Sequence, residues 1–161
     1  SDTACVAVLA LVHEAVRHAS EQLSRSGQLL PAAYMLVRRN PQTGAPLTYP
    51  TAIGMACEKP FTSHDDYLEF LAMLRTEATR LEAIAVALGG EAEAEIEGDP
   101  RGRVAARERV FYLRIEDGAG VHHLHAAIEP SAGGGMKLGT LFDAGAAADD
   151  LPEPLLPPVF S

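Results

Sequence analysis

Positive charge is scarce in this chain. Thirteen Lys+Arg stand against 22 Asp+Glu in 161 residues, a net charge of −9, which opposes long-range attraction to a polyanion or an anionic bilayer surface. Nucleic acid and membrane partners are therefore not expected. Cysteine is scarcer still: Cys5 and Cys57 are too few and too far apart for a disulfide framework or a thiolate zinc site. Both read as small buried hydrophobes, with one bridge between them as the rival reading. Long apolar runs are missing too. Residues 4–12 form the one stretch resembling a targeting segment, yet it is too short to span a bilayer, and Asp2 stands where a signal peptide needs positive charge. The expectation is a soluble, acidic, cytoplasmic protein.

Motifs that announce a chemistry are also lacking. There is no Gly-x-Ser-x-Gly elbow, no Gly-x-Gly-x-x-Gly fingerprint and no helical His-Glu-x-x-His, so neither a hydrolase nucleophile, a dinucleotide site nor a zincin is indicated. Ser131-Ala132-Gly133-Gly134-Gly135-Met136-Lys137 sets glycines near a lysine but lacks the Gly-Lys-Ser/Thr of a phosphate loop; it reads as a flexible turn. No cofactor is implied. No repeat of 20 to 50 residues occurs.

What is present is apolar patterning. With 47% hydrophobic residues, a chain of this length buries roughly 68–70% of its unfolded surface and folds without metal or disulfides. Residues 3–26 contain no Gly or Pro, and Val6, Leu9, Val12, Val16, Ala19 and Leu23 recur at helical steps, with Gly27 as the expected C-terminal cap. Residues 32–39 and 51–58 read as two strands around a Pro- and Gly-rich connection. Ser63 then starts a second helix as N-cap, Asp65 and Asp66 suit the positive end of its dipole, and Tyr67, Phe70, Leu71, Leu74 and Leu81 form the inner stripe. After it come a strand from residue 83 toward Ile96 with a bulge at Gly89-Gly90, two strands flanking the turn Asp117-Gly118-Ala119-Gly120, and a further strand over residues 136–142. The fold class is α+β: an antiparallel sheet of about five strands, two helices packed on one face, order α-β-β-α-β-β-β. Residues 1–142 make one domain, and residues 143–161 a Pro-rich tail.

One charge pattern stands out. Glu91, Glu93, Glu95 and Glu97 alternate with apolar residues, and Arg101, Arg103, Arg107 and Arg109 follow a turn-like Gly98-Asp99-Pro100. Folding back around Pro100 sets Glu97 against Arg103, Glu93 against Arg107 and Glu91 against Arg109, with Ile96 against Val104. Each cross-strand pair contributes roughly 0.2–1 kcal/mol. Arg107 and Arg109 are candidate binding residues, the alternative uses of that face being a divalent-cation site on the carboxylates or an anion site on the arginines. Phe111 and Tyr112 beside the arginines have the look of an RNA-binding strand. However, residues 61–100 hold 10 Asp+Glu against 2 Arg, so internal neutralisation is the simpler account.

Histidines supply the case for an enzyme. In Val121-His122-His123-Leu124-His125, His123 and His125 share a strand face and His122 points away. Two such imidazoles chelate a transition metal once a third ligand joins them, which makes His123 and His125 the candidate metal or binding pair of a metal-assisted hydrolase. His123-Leu124-His125 superficially resembles the His-x-His of the JAB1/MPN metalloproteases, which implies a zinc-bound water and an upstream acid. The likeness stops there. Leu124 occupies the place of the usual Ser or Thr, and Gly133 and Met136 stand where that motif has Ser and Asp.

Residues 83–91, Ala-Ile-Ala-Val-Ala-Leu-Gly-Gly-Glu, followed by Ala106-Arg107-Glu108-Arg109-Val110, resemble a pattern of uncharacterised small bacterial α+β proteins. In those a helix leads to an apolar strand ending in an acidic residue, and an Arg-Glu strand follows. They often carry Trp just after the acidic residue, where Ala92 and Glu93 stand here. The resemblance implies a fold and no catalytic residue. The leading expectation is a non-enzymatic domain that associates with itself or another protein. The surface would be a sheet edge or an apolar patch completed by Leu155, Leu156, Val159 and Phe160. A small-ligand module is the third reading, with the groove between helices and sheet as its pocket.

Overall fold

In the computed structural model, the backbone is described for residues 2–95 and 107–143, and side chains for residues 8–92 and 109–143. The order is α1 (Asp2–Ser26), β1 (Ala32–Arg39), β2 (Pro46–Ala56), α2 (His64–Arg80), β3 (Ala85–Glu95), β4 (Arg107–Asp117), β5 (Gly120–Pro130), β6 (Met136–Leu138) and β7 (Phe142–Asp143). The strands form one antiparallel sheet in the spatial order β2-β1-β3-β4-β5-β6, with β7 also paired to β5. The class is the α+β expected, with more strands than the five anticipated.

The helices do not share a face. Alternate residues of β1 point into two separate cores: Tyr34 and Leu36 meet Leu11, Ala15, Ala19 and Leu23 of α1, while Ala33, Met35 and Val37 meet Leu71, Leu74 and Ala78 of α2. Residues 32–37 are all buried. A continuous apolar run is what a strand covered on both sides requires, and that run is the sequence sign of the arrangement. Topology supplies one of the two covers. β2 and β3 both run antiparallel to β1 and flank it, so they are parallel to each other. The chain between them must cross over β1, and α2 is that crossover.

Local sequence accounts for both helices. Ser63 has extended backbone and its hydroxyl accepts from the Asp66 N–H at 3.1 Å, while Asp65 and Asp66 sit in the first turn. Gly27 adopts a φ of +74°, and its N–H donates to the Leu23 carbonyl at 3.0 Å, the left-handed cap that a side chain would strain. The inner stripe of α1 differs from the spacing first inferred. Leu9 is 60% exposed, and the buried residues are Leu11, Ala15, Ala19 and Leu23. The two alanines let the helix axis approach the sheet closely, which a stripe through Val12 and Val16 would not.

β3 carries no bulge. Its ladder with β4 runs unbroken from Ala85↔Asp117 to Glu95↔Arg107. Gly89 makes room instead: a Cβ there would lie 3.2 Å from Leu113 Cδ1 and 3.4 Å from Phe111 Cε2. The last expected strand is two, β6 on one stretch of β5 and β7 on another.

Candidate functional site

Three features gather the chemistry-bearing side chains. The first is a polar strip on the α2-side face of β4 and β5. Directly opposed residues of an antiparallel pair share a face, so Tyr112↔His125 and Arg114↔His123 line up Tyr112, Arg114, Glu116, His123 and His125. Arg114 and Glu116 are 3% and 4% exposed, and the guanidinium donates to the carboxylate at 2.5 Å. Burial holds the Tyr112 phenol above its ordinary range, with Tyr67 of α2 adding to the effect. His123 is held below the ordinary imidazole range by burial first and then by the charges of Arg114 and His125, which keeps it neutral at neutral pH. Its Nε2 is buried and has no hydrogen-bond partner among the described residues. The His125 ring meets Phe142 edge-on, centroids 5.8 Å apart.

His123 and His125 thus share a face as the alternation predicts, and His122 lies on the other, 3.7 Å from Asp117. That carboxylate also accepts from the Ala119 and Gly120 N–H groups at 2.7 and 3.0 Å, closing the hairpin. No group of three or more His, Cys, Asp or Glu able to hold a metal ion occurs among the described residues. The pair presents two imidazoles where catalytic zinc takes three protein ligands.

The second feature is a clasp. Arg109 Nε donates to Glu91 Oε1, and one terminal nitrogen donates to Glu91 Oε2 at 3.1 Å and to the Gly27 carbonyl at 2.8 Å. The Leu29 N–H reaches the same carboxylate at 3.5 Å. One ion pair therefore ties the end of α1 to β3 and β4, on the wall of a groove of about 650 Å³ that also includes Pro31, Phe61 and Tyr112. The pair Glu91–Arg109 is the one anticipated, but the register is not. The ladder opposes Glu93 to Arg109 and Glu95 to Arg107, with Glu91 against Phe111, a two-residue displacement. A shift of two keeps every side chain on its face. The buried rows Ala87↔Ile115 and Gly89↔Leu113 decide between such registers, and the long arginine then reaches Glu91 diagonally. The Arg107 side chain, the anticipated pairs Glu97–Arg103 and Ile96–Val104, and Leu155, Leu156, Val159 and Phe160 lie outside the described residues.

The Arg109 hydrogen bonds hold the Glu91 carboxyl below its ordinary value of 4.5, against the opposing effect of burial. The folded chain therefore keeps this group ionised where the unfolded chain has begun to take up a proton. Its contribution to stability is complete above pH 4.5 and is lost as pH falls through the lowered folded value. Glu91→Gln is expected to flatten the acid limb of a plot of urea-unfolding free energy against pH. Part of the slope will remain, because Arg17, Thr62 and Arg80 hold down Glu14, Asp66 and Glu77. Solvent at the Arg109 side chain, 37% exposed, keeps the effect at the low end for an ion pair. Identical acid limbs would remove the clasp from the stability of the fold.

The third feature is the outer edge of β2. Its eleven residues, Pro-Leu-Thr-Tyr-Pro-Thr-Ala-Ile-Gly-Met-Ala, include no charge, and no described strand pairs with its outer side. The ladder to β1 is regular over residues 51–56 and shifts only before Thr51. Sequence reasoning found the C-terminal part of this strand but not its place at the edge. It also missed the Arg114–Glu116 pair, whose sign was an Arg and a Glu alternating with Leu113 and Ile115 in an otherwise core-forming strand.

Comparison with protein-family models, curated proteins and solved structures gives no match for the chain. Among the described residues, no helix is long and apolar enough to cross a membrane.

Proposed function

We propose that the chain is a non-enzymatic association domain, and that it pairs with a second copy of itself through the outer edge of β2. The observation that carries this reading is the uncharged, unpaired edge over residues 51–56. Edge strands are ordinarily protected by charge, by proline, by bulges or by being very short. The opposite end of this sheet follows that practice, with β6 of three residues and β7 of two. In β2 the prolines and the register shift fall at residues 46–50, leaving the following six residues a regular template. Tyr49, 78% exposed, stands beside it.

A second copy fits this edge because a two-fold axis pairs the strand antiparallel to itself. Nothing in residues 51–56 repels its own image. The net charge of −9 does oppose approach of two copies, so association is expected to tighten as salt screens that repulsion. Sedimentation equilibrium of the full chain is expected to give twice the 17.1 kDa chain mass. Thr51→Lys, an exposed position, is expected to shift the mass toward the monomer without unfolding the chain, since it sets charge onto the pairing edge. A monomer at all concentrations would overturn the reading, as would a dimer indifferent to the lysine.

A further inference from the structure

Between the loop after β2 and α2 lies a second groove, of about 620 Å³, lined by Cys57, Lys59, Pro60, Phe61, Phe70 and Met73. Its apolar wall is aromatic. Phe61 packs on Phe70 and Tyr67 with ring centroids 5.3 and 5.7 Å apart, and Met73 is exposed beside them. Glu58, Asp66 and Glu69 rim the groove against the single Lys59. We propose that this groove docks residues 154–160 of the same chain in an extended, polyproline-like form.

Pro-rich segments dock in aromatic-lined grooves because the chain is already stiff and loses little entropy on binding. Residues 154–160 read Pro-Leu-Leu-Pro-Pro-Val-Phe, all apolar, three of them proline. Having no charge, this run meets no repulsion from the acidic rim. The tether is long enough to span most of a domain of this size. A chain of this length folds with a radius of gyration of about 15 Å, and the eleven steps from Asp143 to Pro154 extend up to about 36 Å. Tethering sets an effective concentration on the order of millimolar, so a contact that would be weak between separate molecules is populated within one.

Cys57 reports on occupancy, since it is half-buried in the groove wall. Its alkylation rate is to be followed by peptide mapping, which separates it from Cys5. The full chain carrying Thr51→Lys, so that edge pairing plays no part, is compared with the same chain also carrying Leu155→Ser, Leu156→Ser, Val159→Ser and Phe160→Ser. With millimolar tethering and a dissociation constant of about 0.1 mM, Cys57 is expected to react roughly tenfold faster in the serine variant. The ratio should not depend on protein concentration, and far-UV circular dichroism should be unchanged. Equal rates overturn the proposal. A ratio that grows with concentration overturns it in favour of a second copy as the occupant. Acceleration that persists undiminished when Phe61→Ala is added to both chains also overturns it, because the segment would then cover Cys57 without using the aromatic wall.

Discussion

Phe111→Ala is expected to lower the free energy of unfolding by about 3–5 kcal/mol, the cost of removing a large ring from close packing and leaving a cavity. Phe111 is the largest of the fully buried side chains among the described residues. It lies in the α1-side core with Leu23, Tyr34 and Leu113, in the space that Gly89 leaves on the neighbouring strand. Relaxation cannot refill that space cheaply, because Gly89, the diagonal neighbour of Phe111 on β3, has no side chain to move. Domains are stable by about 5–15 kcal/mol, so the loss is a fifth or more of the total. The melting temperature should fall by roughly 6–20 °C. The chain has no Trp, so urea and thermal unfolding are best followed by far-UV circular dichroism. A loss below about 1 kcal/mol would be incompatible with a ring packed between α1 and the sheet.

Glu116→Ala is expected to cost a similar amount, about 3–5 kcal/mol, for a different reason. It deprives Arg114 of the carboxylate 2.5 Å away at a position where water does not take its place. The pair Arg114→Met with Glu116→Leu separates this cause from lost packing. Removing both charges removes the desolvation cost as well, so the double variant should recover most of the stability lost by the single one and match or exceed the parent. Non-additivity of that kind marks two groups that act together. If the double variant is as unstable as Glu116→Ala, the ion pair is not the origin of the effect.

These two residues lie on opposite faces of one strand, Phe111 and Leu113 toward α1, Arg114 and Glu116 toward α2, and the sequence shows the alternation without showing what it faces. The elements themselves were legible. Ser63 with Asp65 and Asp66, Gly27 after an uninterrupted helical stretch, and Asp117-Gly118-Ala119-Gly120 between two strands are local signals, satisfied by hydrogen bonds that span a few residues. The pairing of Glu91 with Arg109 was anticipated from a register two residues away from the one formed, and it survives because the arginine reaches the carboxylate diagonally. The buried ion pair was not, because an Arg and a Glu on alternate positions of a strand are ordinarily a solvated face, and only the position of β4 within the sheet takes them out of water.

The amino-acid order alone determined where both helices and most of the strands lie, and that the chain is an α+β domain. Those properties follow from turn chemistry, capping and the period of the apolar residues, all decided within a few residues of chain. Tertiary structure decided the rest: that α1 and α2 lie on opposite faces, that β2 ends the sheet with its uncharged edge open, and that β3 and β4 pair two residues away from the register the charges alone would choose. Strand order and register are set by contacts between residues far apart in sequence, where buried rows such as Gly89 against Leu113 outweigh ion pairs that a long arginine can make from either position.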